Sequence, residues 1–185
     1  MRAPELVTPP KDTPVTLAQL KAQARIPFDD DDVYLTSLIE AATGLLDGWT
    51  GLLGRALMPQ VWRQDFTSFA AQMRLPFGPI QSIEGFTYLD GDGVETPFED
   101  YTLGVDGLGP SLHLVTGWPS IQPHSLVSVT FTAGYADAAA VPAPIRQAIL
   151  IQAATMYEHR EDFGEQATPL RIVDLMTRPF RRIGL

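Results

Sequence analysis

The chain contains no cysteine in its 185 residues. That excludes disulfides, zinc–thiolate centres and cysteine nucleophiles, so stability has to come from packing or oligomerisation. No apolar run approaches the roughly 18 residues that a membrane-spanning helix needs. The opening residues Met1-Arg2-Ala3-Pro4-Glu5 lack the apolar core of a secretory signal. The expectation is a protein made and kept soluble inside a cell. Positive charge is scarce as well. Thirteen Lys and Arg stand against 22 Asp and Glu, a formal net charge of −9, which argues against a general nucleic-acid binder.

Catalytic signatures are missing too. His113, His124 and His159 are scattered, and none sits in a metal-ligand spacing such as H-x-x-x-H. There is no G-x-S-x-G elbow, no P-loop and no G-x-G-x-x-G. Asp90-Gly91-Asp92-Gly93-Val94-Glu95 superficially matches a calcium loop. Its second position is already glycine and its twelfth is Tyr101, where an EF-hand needs glutamate. A β-turn is the better reading. Asp65, Glu84, Glu95, Glu99 and Asp100 could supply a glycosidase-type carboxylate pair, but any sheet can bring two acids together. An enzyme of this length usually shows a candidate dyad with a supporting group. The expectation is therefore a non-enzyme with no catalytic residue, metal or cofactor.

Hydrophobic residues make up 45% of the chain, enough for a globular core, while charged residues at 19% are few. A surface poor in charge is expected where part of it is covered in an assembly. Residues 1–14 hold Pro4, Pro9, Pro10 and Pro14 and read as an extended arm. Thr16 with Gln19 three residues on makes a capping box for a first helix, with Leu17, Leu20 and Ala24 on one face and Pro27 at its end. The acids Asp29 to Asp32 suit an N-cap and first helical turn, because carboxylates satisfy free amides and favour that end of the dipole. Leu35, Leu38, Ile39, Ala42, Leu45, Leu46 and Trp49 form the apolar stripe of a second helix, which Gly51 and Gly54 close.

From residue 60 the pattern changes to short strands. Val61–Phe66, Met73–Phe77 and Ile83–Leu89 are followed by the turn Asp90–Gly93, a pair near Tyr101–Leu103 and Leu112–Leu114, and the clean alternation of Leu126–Thr132. Trp62, Phe66, Phe69, Phe77 and Phe86 are the expected core of this module. Helices return at Pro142 and Pro144, with Ile145, Ala148, Ile149, Gln152, Ala153 and Met156 on one face as far as about Arg160. Thr168-Pro169 starts a shorter helix with Leu170, Val173 and Met176 or Leu175 on its face, stopped by Pro179. The fold class expected is α+β, a bundle of about four helices with an antiparallel β module inserted between the N-terminal and C-terminal helix pairs. The organisation expected is an arm at 1–14, one domain at 15–178 (helical 15–58, β 60–133, helical 142–178) and a tail at 179–185.

The tail is basic. Residues 171–185 carry Arg171, Arg178, Arg181 and Arg182 against Asp174 alone, a net +3 that leaves −12 for the rest. Such asymmetry often marks an interaction segment, although arginines near a helix C-terminus also complement its dipole.

Ordered motifs along the chain resemble the phage head–tail connector family, also called portal adaptors. They are Val15-Thr16-Leu17-Ala18-Gln19-Leu20-Lys21, Asp29–Asp32 with the helix to Trp49, Gly54-Arg55-Ala56-Leu57 with Gln60-Val61-Trp62, and Leu75–Ile83. Phe131-Thr132-Ala133-Gly134-Tyr135, Val141–Ile149, Tyr157-Glu158-His159-Arg160-Glu161 and Arg181-Arg182-Ile183-Gly184-Leu185 complete the set. Gene transfer agents carry similar adaptors, and the sequence does not separate the two settings.

The resemblance implies a homo-oligomeric, dodecameric ring under the portal at the head–tail junction of a virion or phage-like particle, made in the bacterial host cytoplasm. The ring would bridge the portal protein to a downstream neck, stopper or tail protein, and DNA would pass through its channel without specific binding. It also implies portal contact through Arg178, Phe180, Arg181, Arg182, Ile183 and Leu185. The opposing possibility is that Phe180 and Ile183 fold back onto the chain's own helices. Two other classes stay open at this stage: a non-viral binding module with a β-rich ligand domain, and a hydrolase with an unrecognised carboxylate pair. The β module departs from the smallest, mostly helical members of the family.

Overall fold

The computed structural model describes residues 2–115, 117–159 and 171–182. It is α+β, and all but the first strand of its antiparallel sheets lie in sequence between two pairs of helices among the described residues. The chain divides into two compact units, a β unit of Pro59–Gly134 with the stretch up to Lys11 and Arg182, and a helical unit of Asp12–Met58 and Tyr135–Arg181.

The β unit holds a five-stranded antiparallel sheet in the order β1-β2-β8-β4-β5 and a three-stranded one in the order β3-β7-β6. The strands are β1 (Glu5–Thr8), β2 (Gln60–Phe66), β3 (Gln72–Arg74), β4 (Ile80–Leu89), β5 (Glu95–Pro97), β6 (Tyr101–Asp106), β7 (Gly109–Leu114) and β8 (Val127–Ala133). β8 is bonded on both sides, with Phe131 opposite Trp62 of β2 and Ile83 of β4. Its alternation is complete: Val127, Val129, Phe131 and Ala133 are buried and the residues between them are half-buried. A strand with one face in the core has this period-two pattern.

Proline content misleads at the N-terminus. Within the expected arm, Glu5–Thr8 forms β1 and pairs with β2 through Glu5–Arg63 and Leu6–Trp62. Buried Gln64 holds the approach to this strand by donating Nε2–H to the Arg2 carbonyl at 2.8 Å. Rings fill the interior. Trp62 meets Phe77 edge-on at 4.8 Å, and Phe77 meets Phe131 at 6.0 Å. Phe86 of β4 meets Tyr101 of β6 at 5.3 Å, which ties the two sheets together. The Trp62 indole N–H is satisfied by Gln60 Oε1 at 2.9 Å. The Asp90 turn is a local carboxylate bridge, with Oδ1 accepting from the Asp92 and Val94 amides at 3.0 Å each.

The helical unit has α1 (Leu17–Ala24), α2 (Asp32–Gly44), α3 (Ala143–Glu158) and α4 (Arg171–Thr177), followed by a 3-10 turn at Arg178–Phe180. The capping box at Thr16 and Gln19 is present with both of its hydrogen bonds. α1 ends at Ala24, with Arg25 in the left-handed region closing it. The acids before α2 do more than cap. Lys21 bridges Asp29 and Asp32, and the Tyr157 hydroxyl of α3 donates to Asp31 at 2.6 Å. The Asp29 and Asp32 carboxylates raise the Lys21 pKa. Leu20, Leu35, Leu38, Ile39, Ala42, Leu46, Ile145, Ala148, Ile149, Ala153 and Val173 make one apolar core.

α2 stops before Trp49. The amides of Leu46 and Asp47 both turn back to the Thr43 carbonyl, and Asp47 Oδ1 takes the Leu57 amide at 2.7 Å. A Cβ on Gly51 would lie 2.2 Å from the Asp47 carbonyl oxygen, so only glycine closes this reversal. Trp49 therefore leaves the stripe and is exposed.

Removing the Phe131 ring, which is fully buried at the central strand, should destabilise the protein by about 3–5 kcal/mol. Urea denaturation of Phe131→Ala followed by circular dichroism measures this.

Candidate partner-docking surface

The basic C-terminal residues begin on α4. Val173, Met176 and Thr177 face the helical core, and Thr177 returns its hydroxyl to the Val173 carbonyl at 2.8 Å. Of the two alternatives for the inner face, Met176 is the one that packs, while Leu175 points outward. Phe180 is half-buried against the helical core, as the fold-back alternative requires. Arg178 is exposed. Arg181 is half-buried and donates Nη2–H to Asp174 Oδ1 at 2.5 Å, seven residues back along the same segment. Ile183 and Leu185 lie outside the described residues, as do Thr168-Pro169 and Leu170, the expected start of α4.

Arg182 has a built seat in the β unit. Its Nη2 donates to the Leu75 carbonyl at 3.0 Å and to the Leu108 carbonyl at 3.2 Å. Two backbone oxygens from different loops suit a guanidinium, whose donors are held in a rigid fork. Gly109 makes the approach possible. Its φ is +117°, and a Cβ there would stand 3.1 Å from Arg182 Nη2. The turn that carries Leu108 is braced in turn. Arg74 holds Asp106 by two bonds of 2.9 and 2.7 Å, and Asp106 Oδ1 also accepts the Leu108 amide at 2.8 Å. These donors, the guanidinium first, hold the Asp106 carboxyl well below the usual carboxylate range.

Of the site residues named from sequence, Arg178, Phe180 and Arg181 are thus together on one short helical segment. Arg182 is fixed by contacts that sequence reasoning missed. The one local signal for them was Asp106-Gly107-Leu108-Gly109, a turn pattern like any other. The five aromatics assigned to the β core, Trp62, Phe66, Phe69, Phe77 and Phe86, are all buried and offer no ring platform to a ligand. Glu84, a candidate acid, accepts from the Ser82 and Thr132 hydroxyls, which lower its pKa. A general acid needs the opposite shift. Among the described residues no group of three or more His, Cys, Asp or Glu is placed to hold a metal ion, and no helix is long and apolar enough to cross a membrane.

Residues 14–86 match the profile of the Phage gp6-like head-tail connector protein family. The resemblance read from the motifs is borne out there. No curated protein matches the chain. Among solved structures, a chain in the neck of an empty gene transfer agent particle, computed with C6 symmetry, is 24% identical with a TM-score of 0.81. A chain in the virion of a native gene transfer agent particle is 24% identical with a TM-score of 0.80. A chain in the neck of a native particle, computed with C12 symmetry, is 26% identical with a TM-score of 0.73. Each comparison covers 100% of this chain and 97% of the other, so the likeness of fold includes the β strands as well as the helices.

Two substitutions test the seat. Arg182→Ala should cost about 1–3 kcal/mol, the usual range for hydrogen bonds to a charged group, and Gly109→Ala should mimic it by crowding the guanidinium. Faster cleavage by carboxypeptidase in both variants is the expected readout. Asp106→Asn should alter the acid limb of stability. A carboxylate whose pKa is depressed on folding contributes above its ordinary 3.8 and loses that contribution as pH falls through the folded value. The variant should therefore be less stable than the parent at neutral pH, with the gap closing in strong acid, as urea midpoints across that range will measure.

Proposed function

We propose that the protein is a structural head–tail connector, forming a ring under the portal of a tailed phage or phage-like particle. The observation that carries this reading is the whole-chain likeness of fold to chains of gene transfer agent necks. The head–tail connector match over residues 14–86 supports it independently. In this role the protein bridges the portal to the next neck or tail protein and lines part of the DNA channel. Its net charge of −9 suits such a wall, because like charge lets DNA slide without sticking.

The portal contact falls on Arg178, Phe180, Arg181, Arg182, Ile183 and Leu185. Arginine and aromatic side chains are the types most often found to dominate interfaces. Exposed Arg178 meets acidic portal groups first. Arg181 and Arg182 exchange Asp174 and the two β-unit carbonyls for partner acceptors, and Phe180 with the apolar end residues follows. Giving up those internal bonds makes each single contact weak. A ring offsets this by repeating the contact at high effective concentration.

Deleting residues 179–185 should leave a folded protein, checked by circular dichroism, that no longer joins portal-bearing heads. Heads that still acquire tails normally with the truncated protein overturn the assignment of the contact.

A further inference from the structure

A closed ring made of one kind of subunit needs two different, complementary surfaces on each copy. Among its described residues the helical unit carries three exposed apolar pairs, and their charges differ. Ile172 (48% exposed) and Leu175 (54%) stand one turn apart on the outer face of α4, with exposed Arg171 beside them and Arg178 at the edge. Phe28 (45%) and Val33 (87%) flank the turn into α2, between them the exposed acids Asp29 and Asp30. Trp49 and Leu52 are also exposed, but on a turn whose intervening residues, Thr50 and Gly51, are uncharged. The α4 pair stands beside a cation, its own Asp174 being tied to Arg181, while the Phe28–Val33 pair brackets acids, so the two fit each other, and like-charged or neutral pairings do not gain the same orientation.

We propose that the α4 face of one copy docks on the Phe28–Val33 turn of the next, forming the lateral contact of the ring. The inference rests on the ring reading above and goes beyond it by naming the two faces. Ile172 and Leu175 cover Phe28 and Val33, and Arg171 meets Asp30. Asp29 and Asp32 share Lys21, and Asp31 takes the Tyr157 hydroxyl, so Asp30 is the exposed acid on this turn with no side-chain partner among the described residues. These internal bonds brace the turn in the shape that presents Val33. The contact is heterologous: the two faces are different, so the second copy offers its own α4 to a third. Arg178 remains with the portal-docking tail.

The absence of native cysteine gives a clean test. Val33→Cys and Leu175→Cys are placed in one full-length chain, and a short bismaleimide is added to rings, preformed or assembled on portal-bearing heads. The expected product is a ladder of covalent oligomers up to the ring. A mixture of the two single variants should stop at dimers. In the same assay Arg171→Glu should weaken self-association by about tenfold or more, and adding Asp30→Arg to that chain should restore it. Rings seen by electron microscopy without 33–175 cross-linking, or capture of Leu175→Cys by the portal instead, overturn the proposed contact and leave the ring reading standing. Failure to form any ring, on heads or off them, overturns the ring reading and the contact with it.

Discussion

The β unit depends on strand β8. It is hydrogen-bonded to β2 on one side and β4 on the other, and every inward residue from Val127 to Ala133 is buried. A strand paired on both edges cannot slip by one residue without turning its apolar face to water. This constraint fixes the register of β2, and through β2 that of β1. It also sets Phe131 where Phe77 can reach it, and Phe77 in turn carries Trp62. With no cysteine to close any loop, interlocked rings and strand pairing do the work that disulfides do in small secreted domains.

The helical unit solves a different problem. Its helices are short, and α1 with only eight residues would not persist alone. It is held by a full capping box, by Leu20 in the shared core and by Lys21, which reaches two acids before α2. Three of the four consecutive acids, Asp29, Asp31 and Asp32, thus have structural partners in Lys21 and Tyr157. A run of carboxylates expected to cap a helix is also the brace between α1, α2 and α3.

The C-terminal segment is where structure and proposed role meet. Arg181 and Arg182 already have partners within their own chain. Phe180 rests on the helical core. Residues 178–182 are held in place by these contacts, which lowers the entropy lost on meeting a partner but requires internal bonds to be exchanged. In the proposed role, this balance would keep the arginines from binding acids indiscriminately while a ring of weak contacts still held.

Much of this was readable from sequence because it depends on neighbours in the chain. The Thr16–Gln19 cap, the stripe from Leu35 to Leu46, the alternation of β8, the Asp90 turn and the basic end are all local patterns, set by helical or strand period and by turn chemistry. Tertiary structure decided the rest. Glu5–Thr8 became a strand because β2 offered it an edge, whatever its flanking prolines suggested. Trp49 left the α2 stripe because the chain reverses around Asp47 and Gly51, and Leu175 turned outward because Val173 and Met176 took the core side of α4. Arg182 found acceptors 107 and 74 residues earlier in the chain, a distance over which no periodicity carries information. Local preference determined which segments form helices and strands; packing of distant segments determined which of their faces remained available to a partner.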